Sequence, residues 1–139
     1  MEQDDFSLCM LNNVRRAARA VSRRYERLVR HFGLKAAQFS VLVLVRENPG
    51  RNAGQLAERF SIDRTTLVRN LALLEKNGLI KGDASQAERG RAFELTKDGR
   101  ELLEAAIPVW RKAQADLEAE LGTDEFHQTI SALQRLSKV

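Results

Sequence analysis

Cysteine is nearly missing from this chain: Cys9 is the only one among 139 residues. An intrachain disulfide framework is therefore excluded, and a reducing compartment fits. No apolar run approaches the roughly 20 residues that a membrane-spanning helix needs, so no membrane partner is expected. The first residues, Met1-Glu-Gln-Asp-Asp5, are acidic and lack the basic and apolar regions of a secretion signal. The expectation is a soluble, cytoplasmic protein. Histidine occurs only at His31 and His127, with no metal-ligand spacing to each other or to Cys9, so no metal site is expected. There is no glycine-rich loop to cradle a phosphate and no nucleophile with a matching base. Those absences argue against an enzyme and imply no cofactor. Internal repeats, low-complexity segments and a dividing linker are also missing, which leaves one domain or one protomer of a small oligomer.

What is present is a balanced globular composition with a basic tilt. The apolar fraction of 43% suffices for a core, and a charged fraction of 30% keeps the surface soluble. The net charge of +4 favours a polyanionic partner without proving one.

Apolar residues at Leu11, Val14, Ala18, Val21, Tyr25, Leu28 and Phe32 alternate spacings of three and four, the stripe of a long helix that Gly33 stops. Its other faces carry Arg15, Arg16, Arg19, Arg23, Arg24, Arg27 and Arg30. These arginines read either as a solvated face or as contacts to phosphate or a partner subunit. So short a chain offers the stripe little to pack against, and a second subunit is expected. From Leu34 to Asn48 the run containing Phe39 and Val41 to Val45 has no polar face. Periodicity alone leaves a strand open there, but the length of the segment favours a buried helix. Asn48-Pro49-Gly50 ends it with turn chemistry.

Residues 52–80 form the unit that the rest serves. Asn52 and Gln55 have capping-box spacing at a helix start, and Leu56, Ala57 and Phe60 form that helix's inner face. Ser61-Ile62-Asp63 makes a tight turn, with Asp63 as N-cap of a second helix whose Leu67, Leu71 and Leu74 point inward. Its outer face carries Arg64, Thr65, Thr66, Val68 and Arg69. Two helices joined so tightly read as a helix-turn-helix whose second helix can enter the DNA major groove.

Leu79-Ile80-Lys81 and Arg91 to Leu95 read as two strands around a polar, turn-rich segment. That hairpin carries Lys81, Arg89 and Arg91, long cationic chains suited to phosphates or the minor groove. Thr96 then caps a helix over about 97–121, which Pro108 is expected to kink or split. After Gly122, Thr123 opens a last helix with Phe126, Ile130, Leu133 and Leu136 on one stripe.

The segments Gln55-Leu-Ala-Glu-Arg-Phe60, Arg64-Thr-Thr-Leu-Val-Arg69, Leu74-Glu-Lys-Asn-Gly-Leu-Ile80 and Leu95-Thr-Lys-Asp-Gly99 resemble the MarR family of winged-helix transcription regulators. The likeness runs over essentially the whole chain, residues 1–139. It implies a mainly α fold with a small β wing, in which a winged helix-turn-helix over about 35–96 is flanked by dimerisation helices over about 6–32 and 98–139. It also implies a homodimer on a pseudo-palindromic operator in double-stranded DNA, often a repressor, released by a small aromatic or phenolic effector or by oxidation. By motif position Arg64, Thr65, Thr66, Val68 and Arg69 match the groove-facing set, and Arg89 matches the wing arginine. Ala87 stands where the family's wing carries an aspartate, with Glu88 adjacent. The family's pocket position suggests Arg19, Tyr25, Phe39 and Trp110 as liners.

Two other readings stay open. Leu8-Cys9 before an arginine-rich helix is similar to the family's hydroperoxide-sensing branch, which would make Cys9 a redox switch. Here, however, sixteen residues separate Cys9 from Tyr25, and Ala36 stands where that branch has its second tyrosine. The remaining alternative is a winged helix used for protein contact or as a non-specific architectural DNA binder. The polar set Arg64, Thr65, Thr66 and Arg69 favours sequence-specific DNA binding over that alternative.

Overall fold

The computed structural model describes residues 4–84 and 90–138. After a single 3-10 turn at Phe6–Leu8, helix α1 spans Met10–Val29 and passes through a 3-10 turn at Arg30–Phe32 into Gly33, whose φ of 73° ends the segment. Helix α2 (Ala36–Glu47) is the central helix, burying Gln38, Phe39, Val41, Leu42 and Val45. Helices α3 (Ala53–Arg59) and α4 (Arg64–Lys76) follow, then strands β1 (Ile80–Asp83) and β2 (Ala92–Leu95), and finally α5 (Lys97–Leu121) and α6 (Thr123–Leu136). The strands pair antiparallel with Ile80 opposite Leu95 and Asp83 opposite Ala92. The fold is thus mainly helical with a two-stranded wing.

The core lies where the sequence pattern placed it. Leu67, Leu71 and Leu74 of α4 are at most 2% exposed and pack with Leu42, Val45 and Leu56. Asn52 and Gln55 form a reciprocal capping box, Gln55 N–H donating to Asn52 Oδ1 at 2.8 Å and Asn52 N–H to Gln55 Oε1 at 2.9 Å. Phe60 departs from its expected inward position: it is 37% exposed, with the Arg59 guanidinium 5.9 Å from its ring centre.

The Leu-Thr-x-x-Gly motif has a direct physical reading. Leu95 is buried in the core. The Thr96 hydroxyl accepts from Gly99 N–H at 3.0 Å and donates to the Gly78 carbonyl at 2.6 Å. A side chain at Gly99 would collide with the Leu79 carbonyl, so only glycine lets α5 start this close to the hairpin.

Helix α5 runs unbroken through Pro108 and is not split. Pro108 lies on the exposed side, where the carbonyl it leaves without a partner can be hydrated. Leu103, Ala106 and Ala113 are buried on either side of it and hold both halves of the helix.

Both end helices leave apolar stripes uncovered. Helix α1 buries only Val29, while Leu11, Val14 and Val21 are exposed. Helix α6 buries none of its residues, and Ile130, Leu133 and Leu136 are all at least 40% exposed. Among the described residues no single helix is long and apolar enough to cross a membrane.

Candidate nucleic-acid interface

Helix α4 is fixed in rotation by its three buried leucines, and that rotation decides what it shows to solvent. Arg64, Thr65, Thr66, Val68 and Arg69 are all exposed on the opposite side. The turn that sets the angle between α3 and α4 contains Ser61 at φ 52°, the left-handed region that non-glycine residues seldom occupy. Asp63 holds the helix start, its Oδ2 accepting from Thr66 N–H at 2.9 Å and from the Thr66 hydroxyl at 3.0 Å. Its carboxyl is held below its usual pKa by the Thr66 backbone bond first, then the Thr66 hydroxyl, with a lesser contribution from the Arg69 charge. Because the Thr66 hydroxyl spends its only proton on Asp63, it can accept from a base amino group but cannot donate to a phosphate.

The wing stands beside this surface. Arg64 shares an open cleft of about 630 Å³ with Asn52 and Gln55 at the α3 start, with Glu58 near its end, and with Gly90, Arg91 and Phe93 of the hairpin. Lys81 pairs with Glu94 across the strands at 3.3 Å, both side chains more than half exposed, an arrangement too solvated to immobilise the lysine. Arg91 is differently placed. Its guanidinium grips the Glu75 carboxylate with both terminal nitrogens, Nη1 to Oε1 at 2.9 Å and Nη2 to Oε2. Arg89, Ala87 and Glu88 lie outside the described residues.

Comparison with known proteins points the same way. A profile of the MarR family matches residues 32–91. A putative transcriptional regulatory protein for the hcr operon of Thauera aromatica is 28% identical over 126 residues, 89% of this chain and 76% of that protein. The transcriptional regulator MosR of Mycobacterium tuberculosis, solved in complex with DNA, superposes with a TM-score of 0.82 at 34% identity, covering 94% of each chain. This chain belongs to the MarR family. The transcriptional repressor CouR, another similar structure, has been solved on a 23-mer DNA duplex (29% identity, TM-score 0.81, covering 97% of this chain and 99% of that one). It has also been solved bound to p-coumaroyl-CoA (29% identity, TM-score 0.83, 98% and 96% covered).

In this MarR-family chain three of the four expected pocket residues come together. Tyr25, Phe39 and Trp110 line a cleft of about 330 Å³ between α1, α2 and α5, with Val21, Ser40 and Val43. A second cleft shares Phe39, Val43 and Trp110 and extends to Arg46 and Arg111. The Tyr25 hydroxyl donates to Gln114 Oε1, and burial raises the phenol pKa. Arg19 is not part of this cleft. It lies further towards the start of α1, with Phe6, Ser7, Asn12 and Arg16.

Cys9 is the residue just before α1, partly exposed. Sixteen helical residues at 1.5 Å each put Tyr25 about 24 Å away along the axis, so the tyrosine of the same chain cannot reach the thiol.

Three residues that matter here were not legible as site residues. Arg51 forms an antiparallel bridge to Phe93, with Phe93 N–H donating to its carbonyl at 3.0 Å, and so ties the α3 entry to the wing. Glu75 and Gly82 bind Arg91. The only sequence signal for any of them was Gly82, since glycine within a strand often marks a close approach.

Proposed function

We propose that this protein is a sequence-specific, DNA-binding transcription regulator that acts as a homodimer on a pseudo-palindromic operator, most simply as a repressor released by a small aromatic effector. The observation that carries the reading is the rotation of α4: its leucines are locked inward while Arg64, Thr65, Thr66, Val68 and Arg69 face out beside the wing. Such a face suits the major groove, where an arginine can bind guanine O6 and N7 together. Lys81 and Arg89 are assigned to backbone or minor-groove contact from the wing. The uncovered stripes of α1 and α6 support dimerisation through residues of about 6–32 and 98–139, leaving about 35–96 as the DNA-binding lobe. The cleft of Tyr25, Phe39 and Trp110 supports an aromatic effector, as does p-coumaroyl-CoA on CouR. Among the described residues nothing is grouped around Cys9 that would favour the peroxide-sensing alternative.

The test is titration of variants on promoter DNA flanking its own gene and on random DNA, at two salt concentrations. Arg69→Ala should lower promoter affinity by roughly 10- to 100-fold, the range of a lost bidentate base contact, with little effect on random DNA. Arg89→Ala should weaken both and reduce the salt slope by about 1. Equal losses for Arg69→Ala on every sequence would remove its base-reading role.

A further inference from the structure

Of the wing's two described cationic chains, Arg91 is the one bonded back onto the protein surface, its side chain still about half exposed. Glu75 belongs to the last turn of α4, Gly82 to β1, and Arg91 immediately precedes β2. All three meet at one point. Besides its two-pronged bond to Glu75, Arg91 Nη2 donates to the Gly82 carbonyl at 3.2 Å, and Gly82 N–H donates to Glu75 Oε2 at 3.3 Å. The guanidinium carbon lies 5.6 Å from the Phe93 ring centre. A Cβ on Gly82 would fall 2.6 Å from that guanidinium carbon, so the strand carries glycine where the arginine lies flat on its backbone. Three donors of the arginine fork and its planar face are thus directed at groups of its own chain, and the partner carboxylate offsets its charge. An ion pair of planar, two-pronged geometry fixes orientation as well as distance.

We infer that Arg91 is a positioning residue: with Glu75 and Gly82 it clamps the wing hairpin to the end of the recognition helix, and it makes no DNA contact of its own. This rests on the DNA-binding reading above. It departs from the sequence-based expectation for Arg91, which placed it with the phosphate-seeking chains. The clamp sets where Lys81 stands relative to Arg64–Arg69, so groove and wing contacts are made together.

The two roles predict opposite signs. If Arg91 clamps, Glu75→Gln lowers operator affinity, by about tenfold, even though it removes a negative charge near DNA. Arg91→Ala gives a similar loss, the double variant is no worse than either single one, and the salt slope stays that of wild type. Arg91→Lys behaves like Arg91→Ala, because lysine keeps the charge but loses the fork. If Arg91 instead binds a phosphate, Glu75→Gln raises affinity, Arg91→Lys is close to wild type, and Arg91→Ala lowers the slope by about 1; that set of results overturns the clamp. Amide hydrogen exchange in the free protein separates this from a failure of DNA binding itself. Faster exchange in 80–83 and 92–95 in both Glu75→Gln and Arg91→Ala, with helix exchange unchanged, supports the clamp even if no operator is bound; unchanged exchange there contradicts it.

Discussion

The side chains at the start of α4 divide their work by what they are already bonded to. Thr66 and Asp63 satisfy each other and the helix start, whereas Arg64, Thr65 and Arg69 are exposed. Asp63 therefore holds the reading surface without being part of it, and Thr66 keeps only its acceptor role there. Its contribution to stability has a definite sign with pH. The folded-state pKa of Asp63 lies below its usual value near 3.8, so the stabilisation is fully present above that value and is lost as pH falls through the folded pKa. Asn caps helices about as well as Asp but carries no charge. The stability of Asp63→Asn relative to wild type should consequently improve as pH falls from 6 towards 3, measured by denaturant unfolding at each pH. A difference that is constant with pH would show that the ionised carboxylate is not what the cap uses.

At the scale of elements, the hairpin, the start of α5 and the end of α4 form one joint. Gly99 is its tightest point, since a Cβ there meets backbone rather than a yielding side chain. Gly99→Ala should destabilise the protein by about 1–3 kcal/mol, as overpacking does, read as a lower denaturant midpoint at unchanged slope. An unchanged midpoint would mean that α5 can start elsewhere. The helices and their caps were legible because those signals are local: Leu67, Leu71 and Leu74 repeat with the helical period, and Asn52, Asp63 and Thr96 each stand just before the segment they cap. The aromatic cleft was largely legible too, in Tyr25, Phe39 and Trp110, although Arg19 lies apart from it. What was not legible depends on pairing across distance. Nothing in the spacing of Glu75 and Arg91 marks them as partners, and the single bridge from Arg51 to Phe93 has no periodicity to detect. For Pro108 the opposite holds: the expected split does not occur. Its local rule is strong, but burial on both sides of an exposed proline kept α5 whole.

For the whole molecule, the lobe is well packed and the ends are not. Leu67, Leu71, Leu74 and Leu103 are at most 2% exposed, while Leu11, Ile130, Leu133 and Leu136 stand in solvent. Among the described residues of one chain nothing covers those stripes, and a second copy supplies the same surface by symmetry. Two lobes held in this way present two α4 faces related by a two-fold axis, which the DNA must mirror. The most direct test is selection of bound fragments from a random DNA pool by the full-length protein. The account predicts enrichment of one inverted repeat whose half-site centres lie about 10 base pairs apart or a multiple of it, with the enrichment lost in Arg69→Ala. Recovery of no preferred sequence, or of a single unrepeated motif, would contradict it.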